Sequence, residues 1–354
     1  MNNSARPQPR SAVLKMQAYS PPAGARAGKL RLDFNENTAG CSPRVLAALQ
    51  AAAEADRLAV YPEYSESKPI LAGFFGVSPE QLLLTNGTDE AVQLFVNTYL
   101  DDRDEVVLLN PSYAMYRFYS ELAGASVREI GYRLPDLSFP IDELLRAISA
   151  STRAVILANP NNPTGTALEL EALEAILRKA SPAAVLADEA YFEFCGITAL
   201  PLIRHHPNLF VSRTFSKAYG LAGLRIACVF SAAENIGYLR KTQSPYSVNV
   251  IAASAACAAI SDPEHLRAYV SEVLRARELL AAGFDQLGIR YFPSRANFIL
   301  MDVGERAREI CTLLRERGIL VRDRSYELPG CVRVTAGTQA QVTEFLSELR
   351  NLWR

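Results

Sequence analysis

Between about residues 45 and 250, short apolar runs typical of β-strands alternate with longer stretches whose apolar residues repeat at helical spacing. Residues 168–179 show the helical pattern, with apolar side chains at positions 168, 170, 173, 176 and 177. This alternation is typical of a parallel sheet with helices packed on its faces. We therefore expect an α/β fold with a mostly parallel central sheet, whose strands are residues 106–109, 154–158, 183–187, 209–212 and 226–230.

The pattern changes after Asp262 and Pro263. A long amphipathic helix is predicted first, and shorter strands and helices then mix; the segments are 266–287, 297–303, 306–317, 331–335 and 339–352. This mixture predicts a smaller α+β domain. We expect an N-terminal arm (1–40) that packs with the small domain, a large domain (41–255) that holds the ligand, and the small domain itself (256–354).

The charge balance limits the classes of partner. The 37 Lys and Arg residues and 38 Asp and Glu residues give a net charge of −1, so no basic excess is available to neutralise nucleic acid or an anionic membrane. Six cysteines without a CxxC pair and only three histidines predict a reducing compartment and no histidine-rich metal site. No secretory h-region is present and no run reaches the ~18 apolar residues of a membrane helix, so we expect a cytoplasmic protein.

Polar turns follow four of the predicted strands, at residues 110–113, 159–165, 188 and 214–217. In open α/β sheets, ligands bind beyond the carboxyl ends of the strands. We therefore expect these turns to share one crevice.

The strongest local signal is Thr214-Phe215-Ser216-Lys217, followed by Arg225. A lysine forms an imine with an aldehyde only when its amine is neutral part of the time, which desolvation or a cationic neighbour can arrange. The two hydroxyls and the guanidinium suit a phosphate monoester. Ser-Lys alone is also common on surfaces, but two glycines in the apolar turn that follows indicate backbone held close to a ligand.

Asp188 ends the buried run Ala-Val-Leu-Ala. A carboxylate there needs a cation or a hydrogen-bond donor, and a pyridinium nitrogen would serve; the alternative is an aspartate that caps a helix. Tyr191 lies three residues further and could reach the same ligand. Asn162 stands in a turn rich in Asn, Pro and Gly, where its amide could donate to a phenolate oxygen.

Two further positions suit anions. Gly87 and Thr88 precede the predicted helix 91–100, whose free N–H groups and dipole would favour a phosphate, although Thr88 or Asp89 could equally cap the helix. Arg333 alternates with apolar neighbours on a predicted strand. It is either an exposed strand residue or a bidentate clamp for a carboxylate or phosphate.

Together these residues resemble the fold-type I pyridoxal-phosphate aminotransferases, and within them the histidinol-phosphate aminotransferases. The resemblance runs from about Tyr19 to the C-terminus. It depends on the order and spacing of segments 32–37, 61–62, 86–90, 111–116, 161–165, 188–194, 214–225, 245–249 and 333–338.

The resemblance implies a role for each position around the ring of pyridoxal 5′-phosphate. Lys217 would bind the cofactor covalently and then move the proton between the substrate Cα and the cofactor. Asp188 would keep the pyridine nitrogen protonated. Asn162 and Tyr191 would hydrogen-bond the ring 3-oxygen, and Tyr113 would stack on the ring.

The resemblance also implies how the cofactor phosphate and the substrate are held. The phosphate would contact Thr214, Ser216, Arg225, Gly87 and Thr88. Tyr61 would reach it from the partner subunit of a homodimer. Arg333 would bind the carboxylate of glutamate or 2-oxoglutarate, or the phosphate of L-histidinol phosphate, and the remaining substrate contacts would come from Tyr19, Asn35 and Arg322. The implied reaction converts L-histidinol phosphate and 2-oxoglutarate to imidazole acetol phosphate and L-glutamate, a step of histidine biosynthesis.

Three features depart from the family pattern: Ser247, the pair Ala227-Cys228, and the short stretch between Arg322 and Arg333. Other substrates therefore stay open, including aromatic or other amino acids and a decarboxylase similar to threonine-phosphate decarboxylase. A cofactor-binding regulator is a further alternative. A nicotinamide-dependent Rossmann enzyme is excluded because no GxGxxG follows a strand.

Overall fold

The computed structural model describes residues 7–16 and 25–353. The strands are β1 (Leu30–Arg31), β2 (Leu82–Thr85), β3 (Glu105–Asn110), β4 (Ser126–Gly131), β5 (Thr152–Ala158), β6 (Ala184–Asp188), β7 (Leu209–Thr214), β8 (Ala227–Phe230), β9 (Arg290–Phe292), β10 (Phe298–Asp302), β11 (Ile319–Leu320), β12 (Arg322–Asp323) and β13 (Cys331–Thr335).

The helices are α1 (Ser11–Lys15), α2 (Pro43–Ala52), α3 (Ala55–Leu58), α4 (Ser67–Phe75), α5 (Gly87–Tyr99), α6 (Ala114–Ala123), α7 (Ile141–Ala147), α8 (Leu170–Ala180), α9 (Phe192–Cys195), α10 (Ala233–Thr242), α11 (Val250–Ile260), α12 (Pro263–Leu287), α13 (Ala307–Glu316) and α14 (Gln339–Leu352). Short 3₁₀ turns occur at Pro79–Gln81, Leu200–Arg204, Ala222–Leu224 and Gly304–Arg306.

The central sheet has seven strands in the order β2-β8-β7-β6-β5-β3-β4. Neighbouring strands from β7 to β4 are parallel, while β8 runs antiparallel to both β7 and β2. The α/β fold with a mostly parallel sheet is confirmed. All five predicted strands are present, but the strand predicted at 226–230 runs opposite to the others, and β2 and β4 were not predicted.

Helices cover both faces of this sheet, and β5 shows why. Its residues Val155 and Leu157 pack into one apolar cluster with Leu173 of α8, whereas Ala154 and Ile156 pack into another cluster with Phe95 of α5. Side chains alternate between the two faces of a strand, so a strand covered on both faces is apolar at successive positions. Because the helices occupy both faces of the sheet, a site can form only from the loops beyond the carboxyl ends of the parallel strands.

A second, four-stranded antiparallel sheet has the order β12-β13-β10-β9. It packs on α12 and α14 through a cluster that contains Phe284, Phe298 and Phe345. The short strand β1 pairs in parallel with β11 and so ties the segment after residue 25 to this unit. The division into arm, large domain and small domain at the stated boundaries stays a prediction.

Across the described ranges, none of the helices combines the length and apolar character needed to cross a bilayer.

Candidate active site

A cavity of about 380 Å³ lies beyond the carboxyl ends of the parallel strands, where the second sheet faces the central one. It is lined by most of the residues singled out from the sequence: Asn35, Thr88, Tyr113, Asn162, Asp188, Tyr191, Thr214, Ser216, Lys217, Arg225, Arg322 and Arg333. The strand ends explain this convergence. Asp188 is the last residue of β6 and Thr214 the last of the neighbouring β7, so the residues that follow them emerge at one edge.

Lys217 lines this cavity and is partly buried, and its Nζ donates to the carbonyl oxygen of Phe34 at 3.0 Å. Burial, and after it the nearby charge of Arg333, lower the pKa of Lys217 to about 8 against the opposing effect of Glu36. A neutral amine is therefore present in a substantial fraction of molecules near neutral pH, which a nucleophilic lysine requires.

Asp188 is buried with a hydrogen-bond donor on each carboxylate oxygen. The Tyr116 hydroxyl donates to Oδ2 at 2.6 Å, and the Ser212 hydroxyl donates to Oδ1 at 2.9 Å. Burial raises the pKa of Asp188 to about 6, although both hydrogen bonds oppose this rise. Above that pH the cavity holds a buried carboxylate that can face a cation. Asp188 does not cap a helix, because α9 begins only at Phe192.

Sequence reasoning did not assign Tyr116 or Ser212 to the site. Two periodicities could have found them. Tyr116 lies three residues after Tyr113 at the start of α6, where positions i and i+3 share a helix face. Ser212 lies two residues before Thr214 on β7, so both side chains face the same side of the sheet.

Asp89 links the tyrosine predicted to stack on the ring with an arginine predicted to bind the phosphate. It accepts from the Tyr113 hydroxyl at 2.7 Å and from Arg225 Nη2 at 3.2 Å. The predicted cap is wrong: α5 begins at Gly87, so Thr88 and Asp89 belong to its first turn, and their side chains make no capping bond. Asp89 is thus a cavity residue that the capping interpretation concealed.

Gly87 adopts a φ of 77°, and a Cβ built on it would lie 2.9 Å from Cζ of Arg225. Only glycine therefore allows the guanidinium to lie over the start of α5. Gly87 itself is not among the residues that line the cavity.

The residues at this end of the cavity fit a phosphate monoester. In the part of the chain that the structure describes, the Thr88 hydroxyl is buried without a hydrogen-bond partner. Thr214 Oγ1 accepts from the Ser216 amide at 3.1 Å, which leaves its own proton to donate. These hydroxyls, the guanidinium of Arg225 and the first N–H groups of α5 are the donors that phosphate oxygens require.

The opposite end of the cavity is built around Arg333. Its Nη2 donates to the carbonyl oxygen of Asp33 at 2.7 Å and its Nη1 donates to Oδ1 of Asn162. Its Nε is buried and has no partner among the described residues. Burial lowers the pKa of Arg333 to about 10. Nearby, Asn35 Nδ2 donates to the Tyr191 hydroxyl at 2.9 Å.

Arg322 lies directly opposite Arg333 in the antiparallel β12–β13 pair. Like charges that face each other across two strands destabilise a sheet. Among the described residues, neither guanidinium has a carboxylate within ion-pair distance, whereas Arg225 has Asp89 at 3.2 Å. This end of the cavity therefore carries uncompensated positive charge.

Tyr61 does not line the cavity; it is 76% exposed and stacks on Tyr246 with ring centroids 4.4 Å apart. Tyr19 falls outside the described residues. Of the departures from the family pattern, Ser247 and the pair Ala227-Cys228 do not line the cavity, whereas the stretch after Arg322 does.

The chain is similar to known proteins over most of its length. A family model for aminotransferase class I and II matches residues 27–349. The histidinol-phosphate aminotransferase of Geobacillus sp. (strain WCH70) is 36% identical over 332 residues, 91% of this chain and 90% of the relative. That of Symbiobacterium thermophilum is 35% identical over 355 residues, 96% of this chain and 97% of the relative.

A solved structure extends the likeness to three dimensions. The histidinol-phosphate aminotransferase of Sinorhizobium meliloti, in complex with pyridoxal-5′-phosphate, superposes with a TM-score of 0.89 at 26% identity and covers 99% of each chain.

Proposed function

The chain belongs to the aminotransferase class I and II family, and from this premise we propose that it uses pyridoxal 5′-phosphate to move the amino group of L-histidinol phosphate to 2-oxoglutarate. The products would be imidazole acetol phosphate and L-glutamate. The names of the relatives that match nearly the whole chain support this substrate.

The observation that carries the proposal is the pair Arg322 and Arg333, opposite each other and without a carboxylate partner in the described structure. Buried or half-buried charges of one sign are stabilised only when a counter-ion reaches them. Both proposed substrates carry an anion beside the reacting group, a phosphate ester in one and carboxylates in the other. One pair of arginines would therefore serve both half-reactions.

The cofactor, when bound, supplies an aldehyde that takes up the amino group and a ring that accepts electron density. We assign the proton transfer at the substrate Cα to Nζ of Lys217, because its pKa of about 8 lets it both take and return a proton near neutral pH. Asp188 would face the ring nitrogen as a carboxylate, held in place by Tyr116 and Ser212.

The other cavity residues would orient the cofactor. Asn162 keeps its side-chain N–H₂ available because its oxygen accepts from Arg333, and the Tyr191 hydroxyl, which accepts from Asn35, keeps its proton. Both would hydrogen-bond the ring 3-oxygen. Tyr113 would cover the ring face. The phosphate would lie against Gly87, Thr88, Thr214, Ser216 and Arg225, the donor set described above.

We also propose a homodimer in which Tyr61 completes the partner's site. Tyr61 is highly exposed and does not reach the cavity of its own chain. The same stretch of chain, from α2 to α4, carries five further exposed apolar side chains: Leu46, Leu58, Val60, Ile70 and Phe74. Exposed apolar side chains in such number are typical of a contact surface. Sedimentation of the protein should give the mass of a dimer. Tyr61→Ala should weaken cofactor binding, although Tyr61 does not line the cavity of its own chain.

An absorbance experiment tests the proposal. Purified protein with pyridoxal 5′-phosphate should show a visible band that is absent in Lys217→Ala. L-Histidinol phosphate should bleach the band, and 2-oxoglutarate should restore it. A protein that lacks the Lys217-dependent band refutes the cofactor assignment. The substrate assignment is refuted if other amino donors bleach the band but L-histidinol phosphate does not. It is also refuted if the protein releases CO₂ from threonine phosphate.

A further inference from the structure

Arg324 places a third guanidinium on the face of the hairpin that carries Arg322 and Arg333. Its backbone N–H donates to the carbonyl of Cys331 at 3.0 Å, which continues the antiparallel pairing one residue beyond β12. Because side chains alternate along a strand, residues 322 and 324 share a face. All three arginines line the cavity, although Arg324 was not among the residues predicted from the sequence.

Arg324 is held rigidly. Its Nη2 forms an ion pair with Glu327 at 2.5 Å, and its Nη1 donates to the Tyr326 hydroxyl at 2.9 Å. The backbone N–H groups of Glu327 and Leu328 both donate to its carbonyl oxygen. The loop 324–328 thereby folds around one fixed guanidinium.

One donor of this guanidinium has no acceptor. Arg324 is only 7% exposed, and its Nε is buried without a hydrogen-bond partner in the described part of the chain. A buried N–H that lacks an acceptor is destabilising, and such groups are rare. Arg333 shows the same feature at its own Nε. Two buried arginines in one cavity therefore each have a free donor.

Tyr326 adds a further donor beside Arg324. Its hydroxyl oxygen accepts from Arg324, so its proton stays available, and its ring lines the cavity while 60% of the residue is exposed. One guanidinium fork satisfies one planar carboxylate, so Arg322 and Arg333 suffice for the two carboxylates of L-glutamate, whereas a phosphate ester presents three terminal oxygens in different directions. A third set of donors is useful for a phosphate and superfluous for a carboxylate.

We propose that Arg324 and Tyr326 form a subsite that, with Arg322 and Arg333, selects an amine bearing a phosphate ester over one bearing only carboxylates. The inference rests on the proposed function and deepens it, because it assigns the discrimination between the two half-reactions to named side chains. Arg322 and Arg333 bind both substrates; Arg324 and Tyr326 engage the phosphate.

The test follows the loss of the visible band when cofactor-loaded protein is mixed with L-histidinol phosphate or with L-glutamate. In Arg324→Met and Arg324→Lys, the L-histidinol phosphate concentration giving half the maximal rate should rise roughly 10- to 100-fold, as expected when a charged hydrogen bond is lost. The corresponding L-glutamate concentration should change by less than about threefold, and both maximal rates should persist. Tyr326→Phe should act in the same direction with a smaller effect.

Glu327→Gln separates recognition from loop structure. It removes the charge that anchors the loop but leaves every donor of Arg324 and Tyr326. If Arg324 only holds the loop, Glu327→Gln and Arg324→Met will raise the half-maximal concentrations of both substrates by similar factors. That result refutes the subsite. A thermal unfolding curve for each variant identifies any protein that has lost its fold, and Arg324→Lys serves as the second variant.

Inhibition by inorganic phosphate tests the subsite independently of the proposed substrate. It should inhibit the L-glutamate reaction of the wild type, and Arg324→Met should relieve that inhibition. If the wild type does not react with L-histidinol phosphate but shows this Arg324-dependent inhibition, the substrate assignment fails and the subsite stands. Phosphate inhibition that is the same in wild type and Arg324→Met overturns the subsite.

Discussion

Replacing Tyr116 by Phe tests whether the hydroxyl above Asp188 sets the protonation state of that carboxylate. The hydroxyl donates to Oδ2 at 2.6 Å in a fully buried environment. Hydrogen bonds to charged groups contribute roughly 1.5–3 kcal/mol, and one pKa unit corresponds to about 1.4 kcal/mol. If this bond favours only the charged form, its loss raises the pKa of Asp188 from about 6 by roughly 1–2 units.

The sign of the effect on stability follows from linkage. The pKa of Asp188 in the folded protein lies above its ordinary value of 3.8, so the fold loses stability as the pH rises from that value through about 6, and the loss is complete above it. Tyr116→Phe moves this loss of stability to higher pH and makes it larger. At pH 8 we expect the free energy of unfolding of the cofactor-free protein to fall by about 2 kcal/mol, and by clearly less at pH 5, where Asp188 is largely protonated in both proteins.

Urea unfolding of the cofactor-free protein at pH 5 and pH 8 measures this difference directly. In the loaded protein, the acidic limb of the pH profile for band loss with substrate should move to higher pH by the same 1–2 units, to order of magnitude. Tyr119→Phe is the matched control, because it removes a hydroxyl from the same helix without touching Asp188. Equal stability losses at the two pH values, or an acidic limb that coincides with that of the wild type, would refute the assignment.

Three further outcomes are expected. Gly87→Ala should weaken binding of pyridoxal 5′-phosphate at least about 10-fold in a fluorescence titration, because its Cβ would displace Arg225. The rate at which cofactor-free protein gains the visible band, measured by stopped flow, should rise with pH through about 8 and then level as Lys217 becomes neutral. Arg213→Met should lower the free energy of unfolding in urea by about 3–5 kcal/mol, since it leaves Glu189, buried and paired at 2.7 Å, without its cation.

Burial on both faces made the central strands predictable. Strands β5, β6 and β7 are buried at nearly every position, so their sequences are continuous apolar runs. Strand β4 lies at one sheet edge, where exposed residues such as Arg128 interrupt the pattern. Strand β2, at the other edge, is buried throughout and its apolar run was overlooked. The direction of β8 could not be predicted, because an apolar run records burial and not orientation.

Site residues were predictable where the signal lay in neighbouring residues of the sequence, and not where it depended on contacts between distant segments. Asp188 and Lys217 were predicted because each lies at or just beyond a strand end, and Arg225 because it follows the glycine-containing turn after Lys217. Tyr116 was not, because its contact with Asp188 spans 72 residues, and only its spacing of three from Tyr113 pointed to the site. The sharing of one hairpin face by the arginines likewise depends on the β12–β13 register.

The two ends of the cavity would attract anions by different means. This difference explains how one cavity could hold both the cofactor phosphate and the substrate phosphate. At the cofactor end, Asp89 already compensates Arg225, so the remaining attraction comes from neutral donors such as the Thr88 hydroxyl and the first amides of α5. At the substrate end, Arg322 and Arg333 are uncompensated, so attraction there comes from net charge. Geometry fixed by hydroxyls and amides suits a ligand that stays bound, whereas net charge attracts ligands that must arrive and leave in every cycle. An arginine with its own acid, such as Arg324 with Glu327, adds donors without adding charge and can therefore sharpen the choice of substrate without holding every anion more tightly.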